Sequence, residues 1–121
     1  ASLLFSDQTY EALGDEKENL LLRKIDTVMV KGRKQAVKIY ELFNSDSLDV
    51  QSAKKMVMQS LEEPLNLYRQ QKWMEAQHLF TDLARNQPLD SLPAVYVERC
   101  QNLLENPPSD DWAGVHMFNQ K

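Results

Sequence analysis

The stretch Ile25–Phe43, IDTVMVKGRKQAVKIYELF, decides how the first part of the chain folds. Ile25, Val28 and Val30 are β-branched, and polar residues interrupt them at Asp26 and Thr27, as Arg23 does just upstream. Such a stretch suits a pleated, half-buried surface. Lys31-Gly32-Arg33-Lys34 is a basic turn in which Gly32 is free to take φ > 0. Beyond it Val37, Ile39 and Glu41 alternate with Lys38, Tyr40 and Leu42, the period of a second strand. The pair reads as a β-hairpin. A lone two-stranded hairpin is marginal in water, so it needs more sheet or a helical layer.

Working outward from the hairpin, Ser2–Phe5 is a short apolar run that reads as a strand. Ser6 or Asp7 then N-caps a helix through Leu13, with Gly14 as its stop. Asp15–Asn19 is polar and expected to be exposed. Asn44–Ser47 is a linker and cap region, after which the period becomes helical: Val50, Ala53, Val57 and Leu61 recur on one face, with Met56 beside them. Pro64 is expected to interrupt that helix before Leu65, Leu67 and Tyr68 resume it. A second helix starts at Lys72-Trp73 and stops around Asn86-Gln87-Pro88. Asp90 or Ser91 caps a third, with Pro93 tolerated in its first turn. Asn106-Pro107-Pro108 ends it, and the tail, SDDWAGVHMFNQK, reads as a loop with one anchor-sized residue, Trp112. The fold class is therefore α+β. Residues 1–43 form a strand, helix and hairpin; residues 44–121 form about three helices and an extended tail.

Composition excludes several functions. A chain of 121 residues can bury a core without disulfides or metal. One cysteine, Cys100, rules out an internal disulfide and a cysteine-rich zinc site, and fits a reducing, cytoplasmic setting. The net charge of −4 and pI near 5.1 argue against nucleic acid as a partner, because duplex binding needs a basic face. No run approaches the ~18 apolar residues of a membrane span, and no signal-peptide pattern opens the chain. The sequence reads as a piece of something longer.

Few residues outside the hairpin invite a chemical role. His78 and His116 are far apart and belong to no ligand-spaced cluster, so no metal site is expected. Cys100 lies on the apolar face of its helix and is expected to be a buried, inert thiol. With three glycines in the chain there is no phosphate-binding glycine loop. Glu62-Glu63 and Asp110-Asp111 are read as solvated pairs, and no nucleophile elbow is present. No catalytic residue is assigned.

The run LNLYRQQKWMEAQHLFTDLARNQP resembles a tetratricopeptide repeat, in which an aromatic, an alanine, a large apolar residue, a small or apolar residue and a proline recur at fixed spacing. Here these are Trp73, Ala76, Phe80, Leu83 and Pro88. The small alanine lets two helices approach and the large residues fill the gap. Glu63 and Pro64 depart from the repeat's usual start, and Leu83 is larger than usual. The stripe is expected to be core, and Trp112 to dock the tail.

SLLFSDQTYEALGD followed by LRKIDTVMVKGRKQAVKIYELF resembles the C-terminal end of the catalytic domain of class III nucleotide cyclases. The residues that carry the resemblance are Ser6, Thr9, Tyr10, Asp26, Val28, Val30, Lys31, Gly32, Arg33, Val37, Tyr40, Glu41 and Leu42. YVERCQNLLENPPSDDWAGVHMF is similar to the end of bacterial, cyanobacterial-type cyclases with a short helical extension, through Glu98, Arg99, Cys100, Pro107, Pro108, Trp112, Gly114 and Val115. The resemblance implies a parent that makes cAMP from ATP with Mg or Mn, whose metal-binding aspartates and transition-state Asn and Arg lie upstream of this segment. It implies that Lys31, or else Arg33, reaches the substrate triphosphate across a dimer. It implies as partners the rest of the catalytic domain and a second subunit, through the parent or by strand pairing, with no cofactor held by this chain itself. A reading from a different class is a stand-alone helical protein-interaction module with no catalytic role.

Overall fold

The computed structural model describes residues 3–30, 35–109, 112 and 114–118. The chain divides into two units, Ala1–Asp46 with Val115–Lys121, and Ser47–Gly114.

The first unit is built on a four-stranded sheet of order β1-β3-β2-β4. Strand β1 is Leu3–Ser6, β2 is Leu22–Val30, β3 is Val37–Leu42 and β4 is His116–Phe118. Strand β3 pairs antiparallel with both β1 and β2, which makes the expected hairpin the centre of the sheet. Helix α1, Asp7–Ala12, follows β1 directly, with Ser6 at its N-cap. Gly14 adopts φ +55°, a conformation that glycine reaches at no steric cost. Gly14 is not merely a stop: it opens a 3-10 helix, Gly14–Asn19, none of whose residues is buried.

Two features of the sheet differ from the expectation. The register of β2 against β3 shifts between Lys24 and Asp26, so Ile25 sits in a bulge. The tail is not all loop: β4 pairs parallel with β2 through Val28, Met29 and Val30. Val115 and β4 therefore group with the sheet.

The second unit contains α2 (Leu48–Met58), α3 (Glu62–Arg69), α4 (Trp73–Asn86) and α5 (Leu92–Glu105), four helices rather than about three. The extra one arises because the break falls before Pro64, at Gln59-Ser60. Pro64 then lies in the first turn of α3, where its missing N–H removes no intrahelical bond. Ser47 Oγ accepts the Val50 N–H and starts α2. Ser91 stands at the N-cap of α5 without a side-chain bond; the neighbouring Asp90 Oδ1 accepts the Leu92 N–H instead.

The turn from α3 to α4 is closed by Lys72 N–H to Leu67 O and Gln71 N–H to Tyr68 O, the double bond of a Schellman motif. Its left-handed position is Gln71, at φ 65°.

The helical core comprises Val57, Leu61, Tyr68, Trp73, Ala76, Phe80, Tyr96 and Cys100. Phe80 of α4 stacks on Tyr96 of α5 at 4.8 Å between centroids. Gln77 Nε2 donates to Val97 O and to Gln101 Oε1, both at 3.1 Å, tying the same two helices along their polar edge. Met56, placed by the sequence beside the buried face of α2, is half exposed instead; the buried residues of that helix are Ala53, Lys54 and Val57.

Candidate functional site

The candidate site is the β2–β3 hairpin and the groups that hold it. Its basic tip, Lys31, Gly32, Arg33 and Lys34, lies outside the described residues. The strands that carry it are defined. Cross-strand pairing runs from Leu22 opposite Leu42 to Val28 opposite Val37. At the other edge of β2, residues 28–30 are paired by β4. The backbone leading into the tip is thus paired by β3 up to Val28 and by β4 from Val28 to Val30, with a strand on both sides at Val28.

The base of the hairpin is fixed by a buried ion pair. Arg23 and Glu41 are cross-strand partners, and Arg23 Nε donates to Glu41 Oε1 at 2.6 Å, with side chains only 3% and 8% exposed. In that surrounding a charge-assisted bond is short and strong, and removing one partner is costly. The Arg23 guanidinium also lies 6.0 Å from the ring centre of Phe43, within cation–π range. Phe43 is itself fully buried, and its N–H donates to Leu21 O at 2.9 Å. Leu21 N–H donates in turn to Asn44 Oδ1 at 2.7 Å, which closes the open end of the hairpin.

The other face of β3 carries an aromatic stack. Tyr40 is opposite Phe5 and Lys24 in register. Its ring lies 4.0 Å from that of Tyr10 on α1, at an interplanar angle of 10°, and 6.3 Å from Phe5. Lys17 Nζ sits 4.3 Å over the Tyr10 ring and 4.0 Å from Glu11 Oε2. Burial, with Tyr10, Asp7 and Glu11 adding negative potential, pushes the Tyr40 hydroxyl above its ordinary 10.0. Tyr40 is therefore a neutral packing group at physiological pH, and it fastens α1 to the sheet.

The residues of the repeat-like stripe go to the helical core. Trp73 is buried, Ala76 and Phe80 fully so, and Leu83 packs against them half-buried. Pro88 is exposed, past the end of α4, where it cannot continue the helix. Trp112 meets Tyr68 and Trp73 edge-on at 5.2 and 5.5 Å. Gly114 lies against Arg69, and a Cβ there would come within 2.8 Å of Arg69 Cγ. Cys100 is fully buried, and burial pushes its thiol up to about 11, so it is not a nucleophile at neutral pH.

Among the described residues no cluster of three or more His, Cys, Asp or Glu could hold a metal ion. Nor is any described helix long and apolar enough to cross a membrane. The described part of the site thus consists of paired strands held at their base by a buried ion pair. Sequence reasoning missed the Arg23–Glu41 pair and the Tyr10–Tyr40 stack. The signal for the first was opposite charges at the open ends of the two strands, equidistant from the turn once the bulge is counted.

Comparison with known proteins gives one informative result. The chain is 29% identical over 102 residues to the terminal-differentiation-specific adenylate cyclase of Dictyostelium discoideum, a match that covers 84% of the chain and 5% of that protein. The chain thus spans about one-twentieth of that protein's length. No protein-family model matches the chain, and no solved structure matches it. The similarity relates the chain to a stretch of that adenylate cyclase.

Proposed function

We infer that this chain is the C-terminal part of a class III nucleotide cyclase of the bacterial type, whose parent forms cAMP from ATP. The observation that carries this reading is the extent of the cyclase match. A similarity over 102 residues is longer than either unit alone, so it takes in parts of both the sheet and the helices.

In this reading the hairpin completes the catalytic sheet and presents Lys31, or else Arg33, to the substrate triphosphate across a dimer. A lysine suits that task because its ammonium is a compact charge with rotatable donors. It would hold the pyrophosphate leaving group while the ribose 3′-oxygen bonds to the α-phosphorus and the α–β bridging bond breaks. The Arg23–Glu41 pair and strands β3 and β4 keep the base of that loop in place. Mg or Mn in the parent would be bound by the aspartates that the resemblance to class III cyclases puts upstream of this segment. The helices form a tetratricopeptide-like module for assembly or regulation, and the parent's catalytic part is cytoplasmic.

The coding sequence upstream of Ala1 tests the proposal. The expected result is a reading frame with two separated aspartates and a helix bearing an Asn and an Arg one turn apart. An initiator methionine codon directly before Ala1 would refute it.

A further inference from the structure

Helices α3 and α4, with the turn after α2, enclose a furrow of about 700 Å³. It continues into a second hollow of about 410 Å³ over the first turns of α4. The two share Glu63, Leu67 and Leu79, so they form one trough. Its walls carry one sign of charge. Glu62, Glu63 and Asp82 line the first part, and Glu63 and Glu75 the second; among the described residues no lysine or arginine lines either. The remaining ionisable group on the wall is His78, whose Nε2 lies 3.8 Å from Asp82 Oδ2.

The floor is apolar. Leu67 and Leu83 are half-buried against the helical core. Leu79 is also half-buried and faces the trough, while Met74 is 71% exposed at its rim. A carboxylate cluster alone would be an ordinary solvated face. Here it borders apolar surface that water covers at a cost, and an exposed methionine adapts readily to varied partners.

We propose that this trough docks an amphipathic segment of a protein partner that carries Lys or Arg beside its apolar residues. The apolar floor supplies contact area, and the carboxylates select the sign of the partner's charge and steer its approach. The same carboxylates repel nucleic acid and anionic lipid. This surface does not depend on the cyclase reading, since it lies wholly within the helical unit.

The test uses the full chain and two short fluorescein-labelled amphipathic peptides, one of Leu and Lys and one of Leu and Glu in the same order. Anisotropy titrations should show the Leu/Lys peptide binding at least about tenfold more tightly, and more weakly as salt rises. Glu63→Gln/Asp82→Asn should weaken it about three- to tenfold, the sum of two partly exposed charge contacts. Met74→Ser, a surface change that leaves the fold intact, should weaken it about threefold. Glu98→Gln/Glu105→Gln on α5 removes the same charge elsewhere and should leave binding unaffected. The proposal is overturned if neither peptide binds, if both bind equally, or if the α5 variant weakens binding as much as the trough variant.

Discussion

Removing one member of the Arg23–Glu41 pair should collapse the sheet, whereas removing both should not. The two side chains are 3% and 8% exposed and joined at 2.6 Å. Arg23→Met takes the guanidinium away from a buried carboxylate, and Glu41→Leu takes the carboxylate away from a buried guanidinium, in a place water scarcely reaches. Breaking a buried pair from one side costs about 3–5 kcal/mol. That is a large share of the roughly 5–15 kcal/mol of a whole domain, and a sheet this small has less than most. The double variant Arg23→Met/Glu41→Leu replaces both charges with apolar groups of similar volume, and should be neutral or more stable by about 1–4 kcal/mol. Urea titrations of the four proteins, followed by the amide NMR signals of β2 and β3 for the sheet and by tryptophan fluorescence for the helical unit, measure the coupling directly. Both tryptophans, Trp73 and Trp112, lie in the helical unit, so the two signals can be separated. If either single variant costs under about 1 kcal/mol, the pair behaves as an exposed one and the reasoning fails.

Three further outcomes follow from particular residues. Gln71→Gly should stabilise the helical unit by up to about 1 kcal/mol in urea unfolding, because Gln71 holds a left-handed φ of 65° that a glycine adopts freely. Gly114→Ala should cost about 1–2 kcal/mol from its φ of 81° and its approach to Arg69; Arg69→Ala should relieve the contact part and leave the backbone part. The Cys100 thiol sets a pH window: burial raises it from 9.0 to about 11. Below pH 9 both states keep the proton and the stabilisation is fully present. As pH rises from about 9 to about 11 the unfolded chain ionises first, so stability falls by up to about 1.4 kcal/mol per pH unit. The difference in stability between wild type and Cys100→Ala, measured from pH 7 to 11, should shrink over that window.

The two paired strands were legible because alternation survives on both of them. The bulge at Ile25 was not, since a bulge leaves composition unchanged and shows only in the register. Strand β4 has three residues, too few for a period, and its pairing with β2 is a long-range event. Pro64 misled in a specific way. A proline reads as a helix break, yet three residues after Leu61 it sits where a new helix tolerates it. The stripe Trp73, Ala76, Phe80 was readable as buried surface because its spacing is helical, and all three are buried. The Arg23–Glu41 pair was hidden because charged residues on a strand read as solvent-facing until the partner is known. The acidic trough was also invisible, since Glu63, Glu75 and Asp82 come from two helices whose packing decides what they border.

The central claim is that this chain works as the end of a cyclase. Its most direct test is cAMP formation from ATP, with Mg or Mn, by the full-length product of the gene, compared with its Lys31→Ala variant. A charged hydrogen bond to the triphosphate is worth about 1.5–3 kcal/mol, so the variant should be slower by roughly 10- to 100-fold at an unchanged melting temperature. A full-length product that makes no cAMP, or a Lys31→Ala variant as active as the wild type, would contradict the account.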